Sequence, residues 1–210
     1  MDLELTEEQR MLADSARAFV SEELLPHENE VEKQGEVPSD LGQQITRKAI
    51  EMGFYAANLP ASVGGGGLDY PSLAVIDREF GKVSHALNGF AWRPTELLMA
   101  CEGNQIERYL DPCIRGEKTE CFAITEPGAG SDILSMATRA ERVGNDWVIN
   151  GSKHFVSSHI LPDFAIVFAV TGIDETDRGP RKRVTAFLVD RGHPGFDIVR
   201  GPRCVSQRAY

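Results

Sequence analysis

Hydrophobic residues recur at helical spacing through the first half of the chain. Apolar positions three and four residues apart predict a helix from about residue 7 to Pro26, which opens with the capping-box pattern Thr6-Glu7-Glu8-Gln9. The same spacing predicts a second helix after Pro38, with Gly53 at its C-terminal cap. Three further helices are predicted, one starting near Pro71, one over 92–100, and one over 104–110 that stops at Asp111-Pro112.

The pattern changes after residue 118 to short extended segments separated by turn residues. The predicted strands are the run at Cys121, 138–143, 147–149, 164–171, 184–190 and 196–200, with a turn at 144–146 and a hairpin at Asn150-Gly151. Strands that follow one another without intervening helices favour an antiparallel sheet or barrel. We therefore expect an α+β chain with a helical domain over 1–118 and an antiparallel, β-barrel-like domain over 119–210.

Composition and charge narrow the class of protein. The chain has 210 residues and a formal net charge of -10, which argues against a nucleic-acid partner because such partners are bound by basic surfaces. Its four cysteines and five histidines lack the spacing of zinc sites, so no metal is expected. The acidic N-terminus does not have the pattern of a signal peptide, and no apolar run approaches the roughly 20 residues of a membrane span. A cytoplasmic protein with reduced thiols is expected.

Candidate chemistry is concentrated between Cys121 and Asp132. The apolar run ends at Thr125-Glu126-Pro127, where proline cannot donate to a sheet ladder. Gly128 and Gly130 permit positive φ and allow a ligand to approach the backbone, and Ser131 adds a hydroxyl. The stretch is therefore interpreted as a cradle for an anion or for a flat polar ring.

Three other features have a structural and a functional interpretation. The glycines at 64–67 form either a phosphate loop or a tight turn, and the turn is favoured because no Gly-Lys-Ser/Thr follows. The basic run from Arg178 to Arg183 contacts a phosphate or is a solvated loop tip, and the loop tip is favoured. His154 and His159 have no carboxylate or cysteine at ligand spacing, so surface positions are favoured.

Four motifs together resemble the acyl-CoA dehydrogenase family of flavoproteins. They are Ala123-Ile124-Thr125-Glu126-Pro127-Gly128-Ala129-Gly130-Ser131-Asp132, Trp147-Val148-Ile149-Asn150-Gly151-Ser152-Lys153, Phe155-Val156-Ser157, and Ala61-Ser62-Val63-Gly64-Gly65. Their order and spacing agree with the family across essentially the whole chain. The resemblance implies a helical N-terminal domain, a β-barrel-like middle domain and flavin adenine dinucleotide (FAD) as cofactor.

The resemblance also implies roles for individual residues. The expected cofactor-binding residues are Phe122, Ile124, Thr125, Gly130, Ser131, Phe155, Val156 and Ser157, and Ser131 is also expected to meet the substrate. Phe155 stands where the family more often has tryptophan and Ser157 where it more often has threonine, so each keeps its chemical type. An aromatic ring can stack on the flavin, and a hydroxyl can hydrogen-bond to its polar edge.

The family reaction removes two hydrogens from an acyl-CoA and passes the electrons to an electron-transfer flavoprotein. Family members carry the glutamate base in a C-terminal four-helix domain, which is expected to be absent from this chain. Glu126, Glu96 and Glu102 are the candidate substitutes within this chain, and none is assigned as a catalytic residue. A homo-oligomer, tetramer or dimer, is expected at full length. A non-catalytic flavin- or acyl-CoA-binding fragment and an oxidase of the same fold stay open as alternatives.

Overall fold

The structure is a computed structural model that describes residues 4–91, 94–158 and 160–199. Within these ranges the chain divides into two compact units. The helical unit comprises the residues up to Thr119 together with 160 and 161, and the sheet unit comprises 120–158 and 162–199. In the described part of the chain, no helix is both long enough and apolar enough to cross a membrane.

Helices account for most of the first unit. Its α-helices are α1 (Glu7–Phe19), α2 (Leu25–Gln34), α3 (Ser39–Glu51), α4 (Tyr70–Phe80), α5 (His85–Asn88) and α6 (Asp111–Ile114). The predicted capping box is confirmed, since the Gln9 N–H donates to Thr6 Oγ1 at 3.1 Å and the Thr6 N–H donates to Gln9 Oε1 at 3.2 Å. The predicted starts of α3 and α4 are also confirmed. Gly53 follows α3 with φ +76°.

Two predicted helix ends are wrong for the same reason. The first helix does not stop at Pro26, because a π-helical turn over Val20–Leu24 leads directly into α2. A second π-helical turn, Ile106–Leu110, leads into α6, which contains Pro112 in its first turn. The wider turn shifts the hydrogen-bonding pattern, so a proline without an N–H can follow it while the chain stays helical. The predicted short helix over 92–100 is reduced to a 3₁₀ turn at Glu96–Ala100, and residues 92 and 93 lie outside the described ranges.

Three phenylalanines form the centre of the helical unit. Phe19 of α1, Phe54 and Phe80 of α4 are each buried, with ring centroids 5.4 to 5.6 Å apart and tilted or edge-to-face orientations. Such orientations set the positive edge of one ring against the negative face of another. The three rings therefore join α1, α4 and the segment after α3 into one apolar core.

A buried carboxylate also connects α1 to α4. The Glu79 side chain is 1% exposed, and its oxygens accept hydrogen bonds from Arg17, Arg78 and Lys82. The hydrogen bond from Lys82 outweighs the opposing effect of burial and, with the two arginines, lowers the pKa of Glu79 to about 2. The carboxylate thus stays charged in the folded protein at any ordinary pH.

Replacing this carboxylate by an amide is expected to make the helical unit less stable and less sensitive to acid. Because the folded pKa is about 2 and the unfolded value 4.5, Glu79 stabilises the fold above pH 4.5, and this contribution is lost as the pH falls toward 2. Glu79→Gln should lower the free energy of unfolding at pH 7 by about 2 kcal/mol through weaker charged hydrogen bonds. It should also reduce the slope of stability against pH below 4.5. Urea unfolding across that range tests both, with exposed Glu51→Gln as the matched control. Equal slopes for Glu79→Gln and wild type would contradict the assignment.

The glycine run at 64–67 is a tight turn and not a phosphate loop. The N–H groups of Gly65, Gly66 and Gly67 donate to the carbonyl groups of Pro60, Ala56 and Leu59, at 2.8 to 3.1 Å. A Cβ on Gly65 would lie 2.1 Å from the Leu59 carbonyl oxygen, so only glycine fits there. These amides are already bonded within the protein, which confirms the structural interpretation.

The second unit contains a mixed sheet. Within the described residues its strands are β1 (Glu120–Ala123), β2 (Arg139–Val143), β3 (Asp146–Asn150), β4 (Phe164–Thr176) and β5 (Gly179–Asp190). β2 pairs with β3 and β4 pairs with β5 in antiparallel fashion, whereas β1 runs parallel to β4 over its full length. β2 meets β4 in parallel at Arg139 and Val170. The predicted antiparallel, barrel-like arrangement is therefore corrected to a mixed sheet, which does not close into a barrel over the residues described between 120 and 199.

Several local predictions for this unit can be compared with the strands. The turn after Val143 and the two long strands are confirmed, although β4 and β5 extend into one hairpin with its tip at 177–178. The hairpin at Asn150-Gly151 is wrong, because β3 ends at Asn150 and residues 151–158 form no strand. The strand predicted at 196–200 is absent over 196–199, and Arg200 lies outside the described residues.

Candidate functional site

Side chains of strand β1 alternate between the core of the sheet unit and the opposite, more exposed face. Cys121 and Ala123 pack with Ala165 and Val167 in the core of the sheet unit. Phe122 lies on the opposite face, 43% exposed, with its ring 5.0 Å from that of Phe168. Burial raises the pKa of the Cys121 thiol to about 11, so this cysteine has a packing role and is not a nucleophile.

The stretch after β1 forms a compact loop. A tight turn closes over Glu126–Ala129, with the Glu126 N–H donating to the Ala129 carbonyl at 2.9 Å and the Ala129 N–H donating back at 3.1 Å. Neither Gly128 nor Gly130 adopts the positive φ that the sequence allowed, and a Cβ on either would meet nothing within 4 Å. Open space therefore adjoins the backbone here, and Gly130 and Ser131 are both exposed.

The base of this loop is held by a buried ion pair, which we call the Glu126 anchor. It consists of the Glu126 carboxylate, the Lys153 ammonium and the backbone N–H groups of Ala137 and Thr138. The Lys153 Nζ lies 2.7 Å from Glu126 Oε1, and the two side chains are 8% and 6% exposed. The two N–H groups donate to the carboxylate at 2.6 and 3.0 Å.

These contacts determine the charge state of Glu126. Burial alone would raise its pKa, but the hydrogen bonds from Lys153 and from the two backbone amides lower it to about 2. A carboxylate that is so fully bonded and charged has little capacity to accept a proton from a substrate. The structure thus places Glu126 in a structural position.

Residues 151–157 lie alongside the end of β1. The Lys153 Nζ also donates to the Ile124 carbonyl at 3.0 Å, and the His154 N–H donates to the Thr125 carbonyl at 2.7 Å. These two bonds bring the segment that starts with Phe155 next to Ile124 and Thr125. The predicted site residues Ile124 and Thr125, which follow β1, therefore lie next to the segment that contains Phe155.

The three residues of the later motif have different environments. The Phe155 ring is 87% exposed, and its backbone has φ +53°, which is rare for a bulky residue. Val156 packs against the core cluster of β1 and β4, so its side chain supports the sheet. Ser157 is exposed. Non-glycine residues held at positive φ cost about 1 to 3 kcal/mol each and are concentrated at ligand sites.

The other candidate residues lie elsewhere. The basic run begins with Arg178 in the β4–β5 turn and continues into β5, where Arg183 pairs with Asp174 and Lys182 donates to the Met136 carbonyl at 2.9 Å. Glu96 is exposed and accepts a hydrogen bond from the Tyr70 hydroxyl at 3.1 Å, and Glu102 is exposed in the same helical unit. His154 is exposed, and His159 lies outside the described residues.

Comparison with known families places both units. The family model described as "Acyl-CoA dehydrogenase, N-terminal domain" matches residues 6–117, and the model described as "Acyl-CoA dehydrogenase, middle domain" matches residues 121–209. The chain belongs to the acyl-CoA dehydrogenase family. The family resemblance drawn from the four sequence motifs is thereby confirmed.

Individual family members agree with this assignment. The chain is 37% identical over 199 residues to the caffeyl-CoA reductase-Etf complex subunit CarC of Acetobacterium woodii, covering 92% of this chain and 50% of that protein. It is 36% identical over 194 residues to the mitochondrial long-chain specific acyl-CoA dehydrogenase of Mus musculus, covering 90% and 44%. A crystal structure of a glutaryl-CoA dehydrogenase from Mycobacterium smegmatis in complex with FADH2 superposes with a TM-score of 0.77 at 27% identity, covering 98% and 51%. The chain spans about half the length of the relatives it matches.

The residues of the sheet unit fit the flavin nucleotide expected of an acyl-CoA dehydrogenase. Such a ligand has a flat apolar ring with a polar edge and an anionic diphosphate. The exposed ring of Phe155 suits the ring system, the hydroxyls of Thr125 and Ser157 suit the polar edge, and the open backbone at Gly130 and Ser131 suits the diphosphate. The donor set is thus of the right chemical kind.

Two residues that matter to this arrangement were not predicted as a pair. The sequence presents Glu126 and Lys153 only as members of separate motifs. The available signal is one acidic and one basic residue, one in each of the two most specific motifs. Opposite charges in such positions indicate a buried pair, because an isolated buried charge is too costly.

Proposed function

We propose that this chain supplies the N-terminal and middle domains of an FAD-dependent acyl-CoA dehydrogenase. The proposed reaction is the α,β-dehydrogenation of an acyl-CoA thioester to the trans-2-enoyl-CoA. The observation that carries the proposal is the position of Phe155, 87% exposed and at φ +53°, beside the Thr125 segment to which the His154 N–H is bonded at 2.7 Å. A strained, exposed aromatic ring next to hydroxyl groups is suited to stacking on a flat ligand.

The proposed cofactor contacts follow the two neighbouring segments. Phe155 stacks on the flavin ring, and Thr125 and Ser157 hydrogen-bond to its polar edge through side chain or backbone. Phe122 of β1 and Ile124 just after it add apolar contact, and Val156 contributes through its backbone. Gly130 and Ser131 meet the diphosphate, with Ser131 also reaching the substrate. The domain division proposed is 1–118 and 119–210, which agrees with the change of unit after Thr119.

The chain's own residues prepare the site for the reaction. When bound, FAD supplies the acceptor for a hydride from the substrate β-carbon. Apolar side chains at Phe122, Ile124 and Phe155 exclude water, and hydroxyl or N–H donors at Thr125 and Ser157 stabilise negative charge near the ring. The carboxylate base that removes the α-proton is proposed to come from outside these residues, because Glu126 is bonded within the fold.

An electron acceptor, an oligomeric state and a cellular location belong to the proposed function. An electron-transfer flavoprotein is the proposed electron acceptor, consistent with the name of the Acetobacterium woodii relative, a reductase-Etf complex subunit. The functional assembly is proposed to be a homo-oligomer, tetramer or dimer. A role in fatty acid metabolism and a cytoplasmic location are proposed with it.

Flavin binding is the direct test of this function. Protein expressed from its gene should show the visible spectrum of bound FAD, and titration of the apoprotein should follow the quenching of flavin fluorescence. Phe155→Ala should weaken FAD binding about tenfold, which is about 1.4 kcal/mol, because a stacked aromatic contact is lost. The matched control is Trp147→Ala, which removes a 43% exposed ring that packs edge-to-face against Phe187 of β5 and should leave the affinity unchanged.

Each outcome decides between the proposed function and its alternatives. In the full-length gene product, which would include the proposed base, enoyl-CoA formation with a dye acceptor supports the dehydrogenase, whereas bound flavin without enoyl-CoA formation supports a non-catalytic binding module. Fast reoxidation of the reduced flavin by oxygen favours an oxidase. Failure of the wild-type protein to bind FAD would overturn the proposal altogether.

A further inference from the structure

The Glu126 anchor places two charges inside the sheet unit where the proposed chemistry does not use them. The Glu126 and Lys153 side chains are 6% and 8% exposed, so neither is accessible to a substrate. Both are bonded within the protein, Glu126 to two amides and one ammonium, and Lys153 to one carboxylate, one carbonyl and the Met136 sulfur at 4.0 Å. Their role is therefore structural and depends on the segments of the chain that they connect.

The anchor joins three separate stretches of the chain. Lys153 bonds to Ile124 and Glu126 after β1, and Glu126 bonds to Ala137 and Thr138 before β2. A second cation reinforces the same place, since Lys182 of β5 donates to the Met136 carbonyl at 2.9 Å. The loop over 127–136, which carries Gly130 and Ser131, is thereby closed at its base and attached to the segment that leads into Phe155.

The cost of burying two charges favours a role in fixing the alignment of the bonded segments over a role in raising the free energy of unfolding. Removing two charges from water costs several kcal/mol, and a well-packed apolar pair often gives equal or greater stability. The best-attested use of a buried pair is to select one arrangement among several, because displaced partners would leave an unpaired charge in the interior. Here the arrangement selected is the alignment of residues 124–126 with residues 153–154.

We propose that Glu126 and Lys153 are positioning residues that hold the two flavin-contacting segments in a single register and thereby set the affinity and the reduction potential of the bound flavin. The inference rests on the proposed function, since it takes the segments on either side of the anchor to be the flavin contacts. Lys153 acts on Thr125 and Phe155 through the chain, each being within two residues of an anchor contact. Glu126 acts on the loop that carries Gly130 and Ser131.

The test uses the flavin-bound protein and three variants. Lys153→Met removes the ammonium, Glu126→Gln removes the negative charge at constant shape, and Glu79→Gln removes a buried carboxylate of similar burial from the helical unit as the matched control. The two anchor variants should raise the Kd for FAD at least about tenfold and shift the flavin potential measured by dye equilibration. Glu79→Gln should lower the urea midpoint and leave both flavin quantities unchanged.

The outcomes separate this inference from the proposed function. Wild-type protein without FAD affinity defeats the proposed function, whereas normal FAD binding in wild type and in both anchor variants, with unchanged potential, overturns the inference alone. If Lys153→Met does not fold, Lys153→Arg keeps the charge but cannot reach Ile124 and Glu126 with the same geometry. That variant should still weaken FAD binding, and an unchanged Kd and potential in folded Lys153→Arg would then overturn the inference.

Discussion

Gly151→Ala should weaken FAD binding by about 100-fold. A Cβ on Gly151 would lie 2.3 Å from the Thr138 Oγ1 and 2.7 Å from the Thr138 Cα, and the residue has φ +154°. Because one of the clashing atoms belongs to the backbone, rotation of the threonine side chain does not relieve the contact. Residues 151–153 must therefore move away from Thr138, and Lys153 moves with them.

The displacement acts on the proposed cofactor contacts. Loss of the aligned contacts in both segments should raise the Kd for FAD about 100-fold, which corresponds to about 2.8 kcal/mol. Fluorescence titration of the apoprotein gives the value. The double variant Gly151→Ala with Thr138→Ala should not recover the affinity, since the contact between the added Cβ and the Cα of residue 138 remains.

Gly172→Ala is the matched control for this prediction. Gly172 lies in β4, and its added Cβ would meet only the Arg183 side chain, at 3.7 Å, which is an ordinary contact. FAD affinity should be unchanged in this variant. An unchanged affinity in folded Gly151→Ala would show that the segment after β3 does not position the flavin.

The helices of this protein could be predicted because their signals are local. Periodic apolar residues, the Thr6 capping box and the glycine after α3 act within a few positions of one another. The ends at Pro26 and Pro112 could not, because a proline normally stops a helix and nothing in the local pattern indicates a preceding π-helical turn.

The pairing of the strands depends on distant residues. Each long strand was predicted near its place, but the parallel alignment of β1 with β4 joins Cys121 to Ala165 across the whole β2–β3 hairpin. Turn residues specify only which neighbours in sequence pair, so they favoured an antiparallel order. The parallel pairing follows from burial of Cys121 and Ala123 against Ala165 and Val167, which a single sequence does not reveal.

In the candidate site too, local features could be predicted, whereas features that depend on distant residues could not. The glycine-rich turn and its exposed hydroxyl could be predicted from residue types at 128–131, although the expected positive φ at Gly128 and Gly130 is not adopted. The strained backbone at Phe155 and the Glu126–Lys153 pair could not, because both result from contacts between segments about 30 residues apart. The contribution of each proposed site residue to flavin binding stays a prediction.

The largest expected loss of stability comes from Phe19→Ala. Phe19 is 2% exposed, and its ring contacts those of Phe54 and Phe80 with centroids 5.4 and 5.6 Å away. Truncation leaves a cavity bordered by two aromatic rings that are themselves packed at 5.4 Å and have little room to collapse. Such a Phe→Ala change costs about 3 to 5 kcal/mol, a large part of the stability of a domain of this size.

Urea unfolding followed by circular dichroism measures this effect, since the helical unit dominates the signal. Met11→Ala on the same helix is the matched control, because the Met11 side chain is 66% exposed and its loss should change the free energy of unfolding by no more than about 0.5 kcal/mol. Phe19→Leu should recover part of the loss by refilling the cavity. Equal midpoints for Phe19→Ala and Met11→Ala would mean that the three rings do not form the centre of the helical unit, since a buried side chain and an exposed one would then contribute alike.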